Sequence, residues 1–100
     1  MFVFFLFANF FCFFFSSLLS QYTPGSDLII LDQVLIETNT VLDSGDKSNF
    51  TIKFKNMGGF LVKKNSILQI TNAIFMFENG LQPTQIFTGE SNSTFIFKVI

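Results

Sequence analysis

From residue 27 onwards, apolar and polar residues alternate in short runs, and this period of two is typical of half-buried β-strands. The clearest run is 49–55, in which Phe50, Ile52 and Phe54 share one face and the polar residues share the other. The pattern predicts strands at 27–31, 33–37, 49–55, 60–62, 66–71, 73–77, 85–88 and 93–99.

Turn-forming residues separate these runs, with clusters of Asn, Gly, Asp and Ser at 43–47, 56–59 and 78–80. No window carries an apolar stripe at helical spacing over three turns. Short strands with this spacing predict an all-β domain, either a β-sandwich or a small barrel, of about seven strands.

The run 73–77 is apolar throughout and uncharged. Such a segment is harmless when it is buried between sheets, but it has the profile of an aggregation-prone strand. At the edge of a sheet it would invite pairing with another chain.

The N-terminal segment follows a different pattern. Nine of the seventeen Phe fall within the first fifteen residues, and no charged residue precedes Asp27. This apolar run softens into small polar residues at 16–20, as in the h-region and cleavage region of a signal peptide. We therefore predict a signal peptide at 1–20, cleaved between Ser20 and Gln21, and export through the secretory pathway.

An uncleaved membrane anchor is the alternative for this segment. Residues 1–19 approach the roughly 20 apolar residues that span a bilayer, and no Lys or Arg flanks them to set an orientation. The predicted organisation is thus a signal or anchor at 1–20, a linker at 21–26 and a β-domain at 27–100.

The β-region resembles the CARDB-like family of immunoglobulin-like extracellular modules, over about residues 26–99. The matching elements are SDLII at 26–30, VLI at 34–36, SGD at 44–46, FTIKFKNMGG at 50–59, and FTGES at 87–91 before TFIFKV at 94–99. The resemblance implies an immunoglobulin-like sandwich of seven strands without a disulfide, used as a spacer or adhesion unit. It implies no catalytic residues.

Composition narrows the possible chemistry. The net charge is −1, there is no Arg, and Lys63-Lys64 is the largest basic cluster, so nucleic acid is not an expected partner. There is no His, and Cys12 lies in the predicted leader, so the usual general base and zinc ligands are missing. We predict that the chain is not an enzyme and holds no cofactor.

Four carboxylates lie in predicted turns, but they lack the dense spacing of a calcium-binding loop and predict no metal site. They are Asp43, Asp46, Glu78 and Glu90.

Two N-glycosylation sequons occur, Asn49-Phe50-Thr51 and Asn92-Ser93-Thr94. The alternation places Asn49 and Asn92 on the polar faces of their runs, so both are predicted to face solvent. In a secreted eukaryotic protein each would accept a glycan.

The leading hypothesis is a secreted or cell-surface structural or adhesion module without catalytic activity. Its expected partner is a protein or glycan at the cell surface, and it would meet a membrane only through its N-terminal segment. Two alternatives stay open: a small membrane-anchored protein with its β-domain outside, and an N-terminal fragment of a larger surface protein.

Overall fold

The computed structural model describes residues 3–6 and 22–100. Within these residues the chain forms ten short strands and one helical turn. The strands are β1 (Val3–Leu6), β2 (Asp27–Ile30), β3 (Gln33–Ile36), β4 (Thr40–Leu42), β5 (Phe50–Phe54), β6 (Gly59–Val62), β7 (Ile67–Thr71), β8 (Ala73–Phe77), β9 (Phe87–Gly89) and β10 (Thr94–Lys98), and the helical turn is α1 (Pro83–Ile86). The predicted all-β class is confirmed.

All strand pairs in the described residues are parallel, and they form three sheets in the orders β1-β2-β5-β8, β3-β6-β9 and β4-β7-β10. Each circuit of the chain therefore adds one strand to each sheet. We call these circuits coil 1 (β2, β3, β4), coil 2 (β5, β6, β7) and coil 3 (β8, β9, β10). The architecture is a three-sided parallel β-solenoid.

Paired residues lie 23 to 28 positions apart along the chain, as Phe50 with Ala73 and Thr40 with Leu68 show. A parallel pair needs a crossover of a dozen residues or more, and the other two strands of each coil supply it.

This pairing differs from the predicted immunoglobulin-like sandwich, in which neighbouring strands pair antiparallel. The residues between consecutive strands act here as corners that turn the chain onto the next face of the solenoid. Alternation predicts which side of a strand faces inward, and that side is the same in both architectures, so it does not discriminate between them.

The interior is filled by columns of side chains stacked in register. In the first sheet Leu28 lies beside Ile52, and Ile30 lies beside Phe54, all with at most 1 % of their surface exposed. Full burial of such a side chain stabilises the fold by roughly 1.5–3 kcal/mol. The buried apolar residues are Leu28, Ile30, Val34, Ile36, Leu42, Phe50, Ile52, Phe54, Phe60, Val62, Leu68, Ile70 and Ile86.

The segment predicted as a linker packs against coil 1. Gly25 donates its N–H to the Asp43 carbonyl at 2.8 Å, and Ser26 is buried. The Tyr22 hydroxyl donates to the Ser26 carbonyl at 2.7 Å, and burial, reinforced by Asp43, raises the pKa of this tyrosine. Residues 22–26 thus close a corner of the solenoid.

The corners repeat from coil to coil. Lys55 N–H donates to the Ile30 carbonyl and Glu78 N–H donates to the Phe54 carbonyl, each at 3.0 Å. Left-handed backbone, which Asn tolerates better than most residues, occurs at corner asparagines. These are Asn56, Asn65, Asn72 and Asn92, with φ between 55° and 64°.

At one corner the chain approaches its neighbour too closely for a side chain. A Cβ at Gly58 would collide with the Ile30 carbonyl oxygen, and that oxygen already accepts the Lys55 N–H. Glycine is therefore required for the spacing between coils 1 and 2.

We predict that Gly58→Ala lowers the free energy of unfolding by about 1–3 kcal/mol, the usual cost of overpacking. Met57→Ala is the matched control, because the Met57 side chain is 77 % exposed and its loss should change stability by less than about 0.5 kcal/mol. Urea denaturation of both variants measures the difference. Equal stability of the two variants would contradict the close approach at residue 58.

Candidate functional site

The C-terminal end of the solenoid is the most distinctive surface of the described residues. Within residues 3–6 and 22–100, β8, β9 and β10 each have a partner strand on one side only. Each therefore presents backbone N–H and C=O groups along its other edge, where a further strand can pair. The uncharged segment 73–77 supplies one of these edges, which is the situation that the sequence marked as hazardous.

An aromatic layer covers this end of the core, and we call it the end-face cluster. Its rings contact one another mainly edge to face: the centroids of Phe87 lie 5.3 Å from those of Phe75 and Phe97, at interplanar angles of 74° and 71°. Such pairs contribute about 0.5–1.5 kcal/mol each beyond their area burial. The cluster consists of Phe75, Phe77, Phe87, Phe95 and Phe97.

The end-face cluster is only partly covered. Phe77 stacks on Phe54 of coil 2 at 5.6 Å, yet 37 % of Phe77 is exposed, whereas Phe54 is fully buried. Phe97 pairs in register with Ile70, which is 1 % exposed, but is itself 52 % exposed. The same inward positions are therefore buried in coil 2 and exposed in coil 3, because no described strand stacks on coil 3.

The outward side of β8 is apolar as well. Ile74 and Met76 are both 47 % exposed, and Met76 lies beside Lys53 of β5. Both faces of this edge strand thus carry exposed apolar side chains, a combination that natural edge strands usually avoid.

The carboxylates of coil 3 turn back toward coil 2. Glu78 accepts the backbone N–H of Asn56, and Glu90 accepts that of Lys64, each at 3.0 Å. The other Glu90 oxygen pairs with the Lys63 ammonium at 3.0 Å. These glutamates satisfy corner N–H groups of the preceding coil, so their charges do not interrupt the apolar end.

Hydrogen bonds from Lys63 and from the Lys64 backbone hold the pKa of the Glu90 carboxyl below its ordinary value of 4.5. A lowered folded-state pKa stabilises the fold above the ordinary pKa, and that stabilisation is lost as the pH falls through the folded-state pKa. The Lys63–Glu90 pair is solvent-exposed, so the effect is small.

We predict that Glu90→Gln lowers the melting temperature at pH 7 and that the difference from the unmodified chain disappears below the folded-state pKa of Glu90. Thermal unfolding by circular dichroism at pH 7 and at about pH 2 measures both differences. A deficit of the same size at both pH values would show that the charge of Glu90 does not hold coil 3 to coil 2.

A small cleft lies where the loop before α1 meets the corner of coil 2. Its volume is about 240 Å³, below the roughly 300–1,000 Å³ of ordinary ligand pockets. The lining residues are Asn56, Met57, Gly58, Leu81, Gln85 and Ile86, none of which is ionisable. This cleft offers no acid, base or nucleophile for a reaction.

The other predicted carboxylates lie apart from the end-face cluster. Asp43 accepts the Gly45 N–H at 2.9 Å and shares an open depression of about 460 Å³ with Asp46. No group of three or more His, Cys, Asp or Glu within the described residues is placed to hold a metal ion.

Both sequon asparagines are exposed. Asn49 lies directly before β5, and Asn92 occupies a left-handed corner before β10 with φ of 58°. Their modification stays a prediction. The predicted cleavage residues Ser20 and Gln21, together with most of the predicted signal segment, lie outside the described residues, whereas Val3–Leu6 pairs as β1 with β2.

Comparisons with known proteins give no relative. No family model, no curated protein and no solved structure matches the chain. In the part of the chain that the structure describes, no helix has the length and apolar character of a membrane-spanning segment.

Sequence reasoning missed the end-face cluster, because it placed Phe97 on a buried face. A repeat of the corners could have revealed it. Asn65 and Asn92 occupy equivalent left-handed corners, and the neighbouring positions hold Lys63 and Glu90. Aligning these corners stacks Phe95 and Phe97 over coil 2 and leaves their far side without a neighbour.

Proposed function

We propose that this protein is an exported, non-catalytic structural or adhesion module that acts at the cell surface. The observation that carries the proposal is how the polar side chains of the described residues are used. Those at the corners bind backbone groups of neighbouring coils, as Asn39 accepts the Ile67 N–H at 2.9 Å and Asp27 accepts the Thr51 N–H at 2.8 Å. They hold a scaffold together and do not converge on a pocket.

The interior supports the same role. It consists of apolar columns, and every buried side-chain nitrogen or oxygen within the described residues has a hydrogen-bond partner. Buried polar groups without partners often accompany catalytic or ligand-binding sites, and here none is left over. A solenoid built in this way is suited to a spacer, the role that the resemblance to CARDB-like modules also implies.

Export is supported by the N-terminal sequence. Its apolar run and small polar residues fit a cleaved signal, and the exposed positions of Asn49 and Asn92 make both sequons accessible to glycosylation. Cleavage after Ser20 would also remove β1 and leave β2 as an edge of its sheet.

A second candidate is a segment of a larger surface protein. The uncovered side of coil 3 favours it, because repeat solenoids bury such a surface under a further coil or a polar cap. In that case the module would be one stretch of a longer stack with the same spacer role.

Expression of the full chain in a eukaryotic secretory host tests the proposal. We expect a product in the medium that begins at Gln21 and whose mass falls on glycosidase treatment. Asn49→Gln and Asn92→Gln should each remove one glycan, and the double variant should match the unglycosylated mass. Intact-mass and N-terminal mass spectrometry give the readout.

Two other outcomes are distinguishable. A membrane-bound product that keeps residues 1–20 would favour the anchored alternative. Retention in the cytosol with the leader intact would overturn export altogether.

A further inference from the structure

The end of coil 3 presents a large apolar surface, which we call the end surface. Its side chains are between 37 % and 93 % exposed. If a fully exposed large side chain offers about 200 Å², these fractions amount to roughly 700 Å² on one copy. The end surface consists of Ile74, Met76, Phe77, Phe97, Val99 and Ile100.

This area matches what a specific dimer needs. The largest apolar patch of a typical monomer is about 300–600 Å². A standard interface buries about 800 Å² on each partner, part of it polar rim. The end surface, together with the backbone edges of β8, β9 and β10, is therefore large enough to bind a second copy of this chain.

The charges around the end surface permit self-association. Glu78 and Glu90, the two acidic residues of coil 3, are bound to corner N–H groups of coil 2. Lys98 is the one basic residue between Ala73 and Ile100. Two copies brought together at this end thus meet with few charges of the same sign, and β8 itself carries none.

The opposite end of the solenoid offers no matching surface in the full chain. The inward side chains of coil 1 are at most 1 % exposed, and β2 already has a partner on each side, β1 and β5. A head-to-tail stack would need an uncovered apolar layer at both ends. The exposed layer at one end favours an arrangement in which each copy uses that same end.

We propose that two copies of this chain dock through their end surfaces about a two-fold axis perpendicular to the solenoid. The copies then run in opposite directions, so that β8 of one copy pairs antiparallel with β8 of the other. Lys98, on a different side of the solenoid from β8, is carried away from its counterpart. Such an isologous contact closes on itself and occupies the exposed edges, which prevents open-ended growth.

Site-specific photo-crosslinking in the cell tests this dimer whether or not the chain is exported. A photoreactive phenylalanine analogue replaces Phe97 in the full chain, and Met57 in a control. Both positions are exposed, but Met57 lies at the corner of coil 2, away from the end surface. We expect a crosslinked product of twice the chain mass from position 97 only, with its peptides mapping to coil 3 of the second copy.

Sedimentation of the purified product measures the strength of the contact. Phe97→Lys places a charge in the end surface and should weaken dimerisation at least about tenfold, as expected for a central interface residue. Met57→Lys adds the same charge elsewhere and should leave dimerisation unchanged. Circular dichroism of both variants checks that they remain folded.

Several outcomes would overturn the proposal. They are a monomer at all concentrations, crosslinks from position 97 to a different protein alone, and crosslinks that map to coil 1, which would indicate head-to-tail stacking. Failure of export leaves the crosslinking result readable, so the dimer and the proposed function are tested separately.

Discussion

The stacking of inward side chains in register is the interaction on which this structure depends. Parallel pairing places each inward residue beside its equivalent in the neighbouring coil, as in the column Ile30, Phe54 and Phe77. Phe54 in the middle is fully buried and also meets Phe60 edge to face at 5.7 Å. A column covers each layer with the next one, so its last layer needs a cover of its own. The exposure of Phe77 and Phe97 is the direct consequence.

The corners impose a second constraint, because their backbone groups have no strand ladder to join. Left-handed asparagines make the bends, and side chains from adjacent coils satisfy the free N–H groups. Glu78 and Glu90 do this for coil 2 from coil 3, and in doing so they direct their charge away from the end. The satisfaction of one coil thus leaves the next coil apolar at its far side, which connects the hydrogen bonding of the corners to the proposed dimer.

Sequence reasoning predicted most strands and their buried faces, and β5 alternates between buried and half-buried residues as expected. It missed β4, which has only three residues and no clear alternation. It did not predict parallel pairing, because inward and outward positions alternate identically in a sandwich and in a solenoid. The edge position of β8 and the partial exposure of Phe97 depend on which coil lies next to which, and a period of two along one strand carries no such information.

Nuclear Overhauser measurements on the isotopically labelled chain test the solenoid most directly. The account predicts backbone contacts between β5 and β8 in parallel register, with Ile52 beside Phe75 and Lys53 beside Met76. It predicts equivalent contacts between β6 and β9, in which Phe60 lies beside Phe87. Antiparallel contacts between consecutive strands, such as β5 with β6, would contradict the parallel coils and every inference drawn from their end.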